Sequence, residues 1–431
     1  MKGRYPGDLF IVLVVFLPLL AALPRLGSRF GWSWSELCGV LAQGTGILAL
    51  STFLAAAILS ARLPRADRWF GGLVRIWKIH RLLGISAFLL IMAHALLVAL
   101  GALPVSVQAS VTSLFPPLGQ WPLWLGWAAF VVTVVFVAPT LNFFGRIHYQ
   151  RWKRLHMLSA PALFLGLAHG IVFSPETALW WVLGLLAMAA ILWRKGVSPF
   201  VARKPYRVDS VESLARDVVE LNLLPDEKGM VWQPGQFVYL TPMDPSLAAG
   251  YREEHPYTIA SSAHDRFMRI GIKGIGDATK ALLGIEPGAA VRIEGPYGTF
   301  LREPGALPRQ LWIGGGIGIT PFVAGVREWR DGTPMASDVA LFYLANRPAR
   351  AYYLDEMEAI AGQKTGLEVH PHYSSEEGVF TRDFLAARCP DFAEREAYIC
   401  GPPGLIQHVQ ALLRRAGVPR QRIHTEAFDF L

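Results

Sequence analysis

The chain reads as a multidomain protein: an all-α bundle of six transmembrane helices over residues 1–200, an antiparallel β-barrel over 201–305, and an α/β domain over 306–431. Three observations lead there. Apolar residues crowd before about position 195, in segments near the roughly 20 residues that a bilayer requires. After about position 202, short runs rich in β-formers alternate with Gly, Pro and Asp. After Pro308 the order becomes strand, glycine turn, helix, repeated, which is the punctuation of a parallel sheet covered by helices.

The candidate spans are 8–24, 36–61, 76–101, 121–144, 152–173 and 177–194. Basic residues mark alternate links. Arg62, Arg65, Arg68, Arg75 and Lys78 separate spans two and three, and Arg146, Arg151, Lys153 and Arg154 separate four and five. Arg194, Lys195, Arg203 and Lys204 follow span six. The links 102–120 and 174–176 hold no Lys or Arg, and only Arg25 and Arg29 oppose the pattern. The positive-inside rule then puts both termini and everything after span six in the cytoplasm, with the protein integral to the cell membrane. Lys2, Arg4 and the apolar run to Leu23 resemble a signal peptide; an uncleaved first span is expected, because it keeps the two termini on one side.

Composition narrows the classes. A hydrophobic share of 52% is too high for a plain soluble protein, and the net charge of +8 gathers at span ends, which speaks for topology and against a nucleic-acid partner. Cys38, Cys389 and Cys400 are too few for a disulfide framework or a four-thiolate metal cluster, and no C-x-x-C-H offers covalent haem attachment.

Spans three and five run from cytoplasm outward and carry histidines near both ends: His80 and His94 in one, His156 and His169 in the other. At 1.5 Å rise per residue the members of each pair differ by about 20 Å in depth. Two such helices side by side offer two imidazole pairs, one above the other, which suits two bis-histidine haems. A lone intramembrane histidine is as readily a helix–helix hydrogen-bonding residue, but four at matched depths favour ligation. Fourteen residues return nearly to the same helix face, whereas the thirteen between His156 and His169 do not. Pro161 and Gly166 lie in that interval and would re-aim the outer half. His148, in the basic stretch HYQRWKR, reads as interfacial.

In the second half, YRVDSVESLARDVVELNLLP, GQFVYLTP, FMRIGIKGIG and AAVRIEG read as barrel strands. Gly314, Gly315, Gly316 and Gly318 lie between a strand and a helix opened by Pro321. Glycines let a backbone approach a pyrophosphate at a helix N-terminus; a plain tight turn is the alternative. GDATKAL (276–282) reads as a helix start with Thr279 as its cap and free N–H groups for phosphate. HPYTIASS (255–262), IEGPYGTF (293–300), ICGPPG (399–404) and a terminal TEAFDFL complete an ordered set.

That set resembles the ferredoxin–NADP reductase superfamily, and the whole chain resembles the NADPH oxidase and ferric reductase family, in which a six-span haem domain is fused to an FAD-binding barrel and an α/β nucleotide-binding domain. The resemblance makes His80 with His156 the inner haem pair and His94 with His169 the outer pair. It places His255, Pro256, Tyr257 and Thr258 on FAD, with Tyr257 along the isoalloxazine and Thr258 facing its N5. His255 stands where many relatives carry an arginine. Gly276 and Thr279 would hold the FAD pyrophosphate. Gly314, Gly316, Gly318, Thr320 and Pro321 would hold NADPH or NADH, with Cys400, Gly401 and Pro402 by the nicotinamide ring. The family ends in Glu-x-aromatic, matched by Glu426 and Phe428, whose ring would stack on the flavin; Phe430 is the runner-up, and core packing is the other reading of Phe428. Cys400 also reads as a small buried hydrophobe. Arg347 and Arg350 would pair with a 2′-phosphate, or be solvated surface charge.

The expected activity is transmembrane electron transfer. Cytoplasmic NAD(P)H would reduce FAD, two b-type haems would carry electrons outward, and an acceptor outside the membrane, O2 giving superoxide, would take them. A ferric chelate is the alternative acceptor; a membrane-anchored flavin reductase without haem and a transporter with a proton relay are the alternative classes. No EF-hand loop and no PxxP tail is seen, so activity without an obligatory protein subunit is expected.

Overall fold

The computed structural model describes residues 5–63, 66–141, 149–301, 306–331 and 334–426, and the chain divides near residue 200 into two compact units.

In the first unit, six helices are long and apolar enough to cross a membrane: Pro6–Ser28, Trp34–Leu59, Leu73–Ala102, Trp121–Thr140, Arg151–Phe173 and Thr177–Val201. The elements are α1 (Pro6–Ser28), α2 (Trp34–Leu59), α3 (Leu73–Ala102), α4 (Val107–Leu114), α5 (Trp121–Val137), α6 (Tyr149–His156), α7 (Ser159–Phe173), α8 (Thr177–Leu192) and the short α9 (Ser198–Val201). Helix α2 is central, packed on α1, α3, α7 and α8. It starts at a capping box, in which the Ser33 Oγ accepts from the Glu36 N–H and the Glu36 carboxylate accepts from the Ser33 N–H. Ser51 Oγ donates to the Val15 carbonyl on α1 at 2.8 Å, a polar tie between helices that have no hydrophobic drive to associate in lipid.

Two elements differ from the sequence reading. The link 102–120 is not bare loop, because Ser106 caps α4 by accepting from Ala109 N–H at 2.9 Å. Span five, Arg151–Phe173, is interrupted earlier than Pro161 itself. It breaks at Met157–Leu158, where the N–H groups bond three residues back, and Gly166 lies inside continuous helix. Pro161 is the cause all the same: it has no N–H for the Met157 carbonyl four residues earlier, so the helix opens one turn before the proline.

In the second unit the antiparallel strands are β1 (Arg203–Ala215), β2 (Val218–Pro225), β3 (Phe237–Pro242), β4 (His255–Thr258), β5 (Met268–Lys273) and β6 (Ala290–Tyr297), with α10 (Asp277–Leu282) between the last two. Their order is β4-β3-β6-β1-β2-β5. The sheet curls until its edges meet through one bridge, Ile259 to Ile270, so it is a half-barrel rather than a closed ladder. Leu221, Val238, Ile270 and Ile293 fill it.

The α/β domain follows: β7 (Arg309–Gly315), α11 (Thr320–Arg330), β8 (Asp338–Ala345), α12 (Leu354–Ala361), β9 (Leu367–Tyr373), α13 (Ser374–Glu377), α14 (Arg382–Arg388), β10 (Glu396–Cys400), α15 (Pro403–Arg415) and β11 (Ile423–Glu426). Its strands are all parallel, in the order β11-β10-β7-β8-β9. Alternate residues of β7 enter opposite cores: Leu311 and Ile313 on one face, Trp312 on the other, as a doubly covered sheet demands. The chain leaves β7 toward β8 and later returns on its other side as β10. That reversal opens a crevice at the carboxyl ends of β7 and β10, where ligands of open α/β sheets bind.

Candidate functional site

The four membrane histidines form two pairs. The ring centres of His80 and His156 are 6.1 Å apart, and those of His94 and His169 are 6.3 Å apart. Helix α2 orients both histidines of α3. His80 Nδ1 lies 2.8 Å from the Ala56 carbonyl, and His94 Nδ1 lies 2.8 Å from the Ala42 carbonyl, so antiparallel helices match one fourteen-residue spacing with another. His169 Nδ1 lies 2.8 Å from the Pro122 carbonyl on α5. A carbonyl only accepts, which assigns the proton to Nδ1 and leaves the Nε2 lone pair free. His156 differs: its Nδ1 is buried with no hydrogen-bond partner among the described residues, and its ring stacks on Trp152 at 5.0 Å.

Glycines make room for the outer pair. A methyl at Gly46 would stand 2.9 Å from His94 Nδ1, and one at Gly126 would stand 3.0 Å from His169 Nδ1. Each outer imidazole thus has the same niche, a carbonyl at one position and a glycine one helical turn later: Ala42 with Gly46, and Pro122 with Gly126. The outer pair lines a cavity of about 1300 Å³ of empty space, part of it open to the surroundings, with Phe130, Phe173 and Trp180 among its apolar walls.

These residues fit a haem. Two imidazoles sharing one metal through Nε2 have ring centres roughly 6.3 Å apart, given metal–nitrogen distances of about 2.0–2.1 Å and a ring-centre offset of about 1.1 Å. The observed separations agree. Among the described residues no group of three or more His, Cys, Asp or Glu could hold a metal ion, so two histidines would need further ligands from a non-protein group.

In the half-barrel, β4 pairs with β3, with Thr258 opposite Phe237 and Tyr257 opposite Val238. His255 Nε2, Tyr257 Oη and Thr258 Oγ1 are all buried without hydrogen-bond partners. Burial pushes the Tyr257 hydroxyl up from its ordinary range. His255 Nε2 lies 3.6 Å from Glu253 Oε2, whereas the orphaned Tyr257 Oη and Thr258 Oγ1, on adjacent residues, leave hydrogen-bonding capacity for a polar ligand such as a flavin. Thr279 is not the cap of α10. The cap is Gly276, and Thr279 is the third helical residue, whose Oγ1 accepts from the Gly276 and Ile275 N–H groups at 2.9 Å each. A glycine has no side chain to cap with, so the threonine reaches back to these two N–H groups, which lie ahead of the helix's first turn.

At the switch point, Cys400 pairs in register with Gly314 on one side and Glu426 on the other. A methyl on Gly318 would stand 2.6 Å from Gly401 Cα, so the loops after β7 and β10 touch backbone to backbone. Gly316 has φ of +57°, which favours glycine. Thr320 and Pro321 open α11 after a tight 3₁₀ turn over Gly316–Ile319. Pro402 caps α15. Glu426 Oε2 is buried and unpartnered, and burial pushes its carboxyl up to about 8. Burial also raises the Cys400 thiol, with the neighbouring Glu426 charge adding to it.

Arg350 is bound to Asp217 of the half-barrel and to Tyr352, while Arg347 is exposed. Phe428 and Phe430 lie outside the described residues. Sequence reasoning missed the carbonyls of Ala42, Ala56 and Pro122 and the glycine niches, whose only trace is an i, i+4 glycine in a bulky span.

Three families match in order. Residues 45–167 match "Ferric reductase like transmembrane component", 203–300 match "FAD-binding domain", and 312–411 match "Oxidoreductase NAD-binding domain". The chain is 28% identical over 239 residues to the propane 2-monooxygenase reductase component of Rhodococcus jostii (strain RHA1), covering 52% of this chain and 62% of that one. It is 30% identical over 210 residues to the glycine betaine monooxygenase reductase subunit of Pseudomonas aeruginosa (strain UCBPP-PA14), covering 46% and 56%. The chain therefore spans about three-fifths of the length of these relatives. A flavohemoglobin structure from Malassezia yamatoensis shares the fold, with a TM-score of 0.50 and 18% identity over 96% of this chain and 98% of that one. With a ferric reductase-like membrane domain preceding FAD- and NAD-binding domains on one chain, this multi-pass membrane oxidoreductase is built on the NADPH oxidase/ferric reductase architecture.

Proposed function

We propose that this protein is a transmembrane electron-transfer enzyme that takes electrons from cytoplasmic NAD(P)H and delivers them outside the membrane to O2, giving superoxide. The observation that carries the reading is the pair of histidine couples at 6.1 and 6.3 Å on helices long enough to cross a bilayer. When bound, FAD would accept a hydride from the nicotinamide, and two b-type haems would relay single electrons outward.

The chain's own residues provide the rest. His80 and His156 would hold the inner haem, and His94 and His169 the outer one; in His80, His94 and His169 the Nδ1 proton is engaged by a backbone carbonyl, which leaves Nε2 available. Gly314, Gly316, Gly318 and Thr320 bring the nucleotide's pyrophosphate to the mouth of the crevice. Cys400, Gly401 and Pro402 line the nicotinamide side, while Pro256, Tyr257 and Thr258 line the flavin side, with His255 and Gly276 toward its phosphates. Glu426 keeps its proton at neutral pH on a buried carboxyl, where it can hydrogen-bond as a donor and exchange that proton during turnover. Arg347 takes the 2′-phosphate of NADPH, since Arg350 is already committed to Asp217. The apolar spans keep water from the histidine pairs. With the cytoplasm negative, each electron moved outward is favoured by about 2.3 kcal/mol per 100 mV.

Oxygen is favoured over a ferric chelate because Arg25, the basic residue lining the outer cavity, is matched by Glu176 at 3.2 Å and leaves no surplus charge for an anionic chelate. The test is the absorption spectrum and haem content of the purified protein and of His94→Ala and His169→Ala. Two b-type haems in the wild type and one in each variant are expected. A flavin-loaded, folded preparation without any haem would sink the reading. Cytochrome c reduction that is indifferent to superoxide dismutase would exclude superoxide.

A further inference from the structure

Two turns beyond Thr320 on α11, Arg327 leaves the nucleotide-binding half and enters the half-barrel. Its side chain is 3% exposed. All five of its N–H donors are used. Nε and Nη2 donate to the two oxygens of Glu356 on α12, at 2.8 and 2.7 Å. Nη1 and Nη2 donate to the two oxygens of Glu220 on β2, at 3.1 and 3.3 Å. The last Nη1 proton goes to the Ala260 carbonyl at 3.0 Å, two residues past Thr258. A guanidinium is a rigid planar fork, so one placement alone satisfies two carboxylates and a carbonyl together.

The start of the same helix meets the barrel at the same rung. Glu220 pairs in register with Gly271 of β5. Gly271 is where the glycine loop and Tyr353 rest: a methyl there would stand 2.7 Å from Tyr353 Oη, 3.0 Å from Thr320 Cγ2 and 3.3 Å from Ile317 Cδ1. So α11 is stopped sterically at Gly271 near its N-terminus and gripped ionically at Glu220 by Arg327. Stability alone does not account for a buried arginine, since well-packed apolar residues often replace a buried ion pair without loss. What the fork adds is direction.

We propose that Arg327 is a positioning residue for hydride transfer, holding the helix that follows the glycine loop in fixed register with the strand that carries Thr258. The proposal rests on the reading of that loop and that strand as the two sides of the hydride site. Donor and acceptor atoms must sit about 3–3.5 Å apart, and a misplacement of about 1 Å costs about 100-fold in rate. Gly271 is the second half of the device, because it sets the distance that Arg327 maintains.

The experiment uses the full-length, FAD-loaded protein. Anaerobic stopped-flow follows flavin reduction by NADPH and by NADPH deuterated at the transferred position, giving the hydride rate, its isotope effect and the nucleotide Kd. Arg327→Met, Arg327→Lys and Gly271→Ala are compared with wild type. Hydride transfer about 10–100-fold slower in all three is expected, with a full isotope effect, wild-type FAD content and a Kd within about threefold. Lysine keeps the charge without the fork, so a wild-type rate in Arg327→Lys would overturn the proposal. So would rate losses that merely follow loss of FAD or of nucleotide affinity, or an unaltered rate in Gly271→Ala. If Arg327→Met fails to fold, the other two variants still decide. A wild-type flavin that neither NADPH nor NADH reduces would overturn the hydride site itself, and the proposal with it.

Discussion

Replacing Gly126 by alanine places a methyl 3.0 Å from His169 Nδ1 and Cε1, where ordinary contact begins at 3.4 Å. The imidazole must recede by about 0.4 Å. Its bond to the Pro122 carbonyl then lengthens from 2.8 Å to about 3.2 Å, the edge of hydrogen-bonding range. Metal sites hold their ligand distances within about 0.2 Å, so the displaced ring falls outside that tolerance. Outer-shell changes of this kind lower affinity about 10–100-fold. Haem-to-protein ratios measured as the pyridine haemochromogen, with a potentiometric titration of whatever haem remains, read the effect. Gly126→Ala is expected to fall from two haems toward one, or to shift the potential of one of the two. Gly39→Ala on α2 is the control, since its methyl would meet nothing within 4 Å and Gly39 does not line the outer cavity. Two haems with unshifted potentials in Gly126→Ala would refute the niche.

Two further outcomes are expected. Glu426 stays protonated in the fold up to about 8, whereas an ordinary glutamate ionises near 4.5. The folded state therefore binds more protons between those values, and the dehydrogenase unit loses stability as pH rises across that window, at about 1.4 kcal/mol per pH unit. Glu426→Gln removes the slope, which thermal release of flavin fluorescence at pH 5 and pH 8 would reveal; parallel slopes in the two proteins would contradict the buried neutral carboxyl. At the nucleotide site, Arg347→Ala is expected to raise KM for NADPH about 10–100-fold, as loss of a charge-assisted hydrogen bond implies, and to leave KM for NADH nearly unchanged. Arg350→Ala, whose partner is Asp217, should discriminate far less between the two nucleotides; equal effects from both variants would reject the assignment to Arg347.

Much of this molecule was legible in one dimension because its signals are local. A span announces itself by some twenty apolar residues, since the bilayer imposes that length. The strand–glycine–helix rhythm after Pro308 is visible because turns and helix starts need particular residues at adjacent positions. The four histidines stood out for the same reason, as polar groups in an apolar run. What could not be read were relations between distant positions. The break at Met157–Leu158 follows from a missing donor four residues later, which hydropathy does not register. Thr279 was taken for a cap, because the identity of the capping residue depends on where the chain turns. Arg350 was left between a phosphate ligand and solvated surface charge, and only the fold brings it to Asp217, 133 residues earlier.

By itself, then, the sequence determined six helices long and apolar enough to cross a membrane, a curled antiparallel sheet, a parallel nucleotide-binding sheet and the residue types available for chemistry. The tertiary structure decided which of them meet. It set His80 opposite His156 and His94 opposite His169, put Gly314 and Glu426 on either side of Cys400, and buried Arg327 between Glu220 and Glu356. The physical reason is that periodicity and turn chemistry are written within a few residues, whereas packing and ionic partners are chosen by helix faces and strand registers that exist only once the chain has closed on itself.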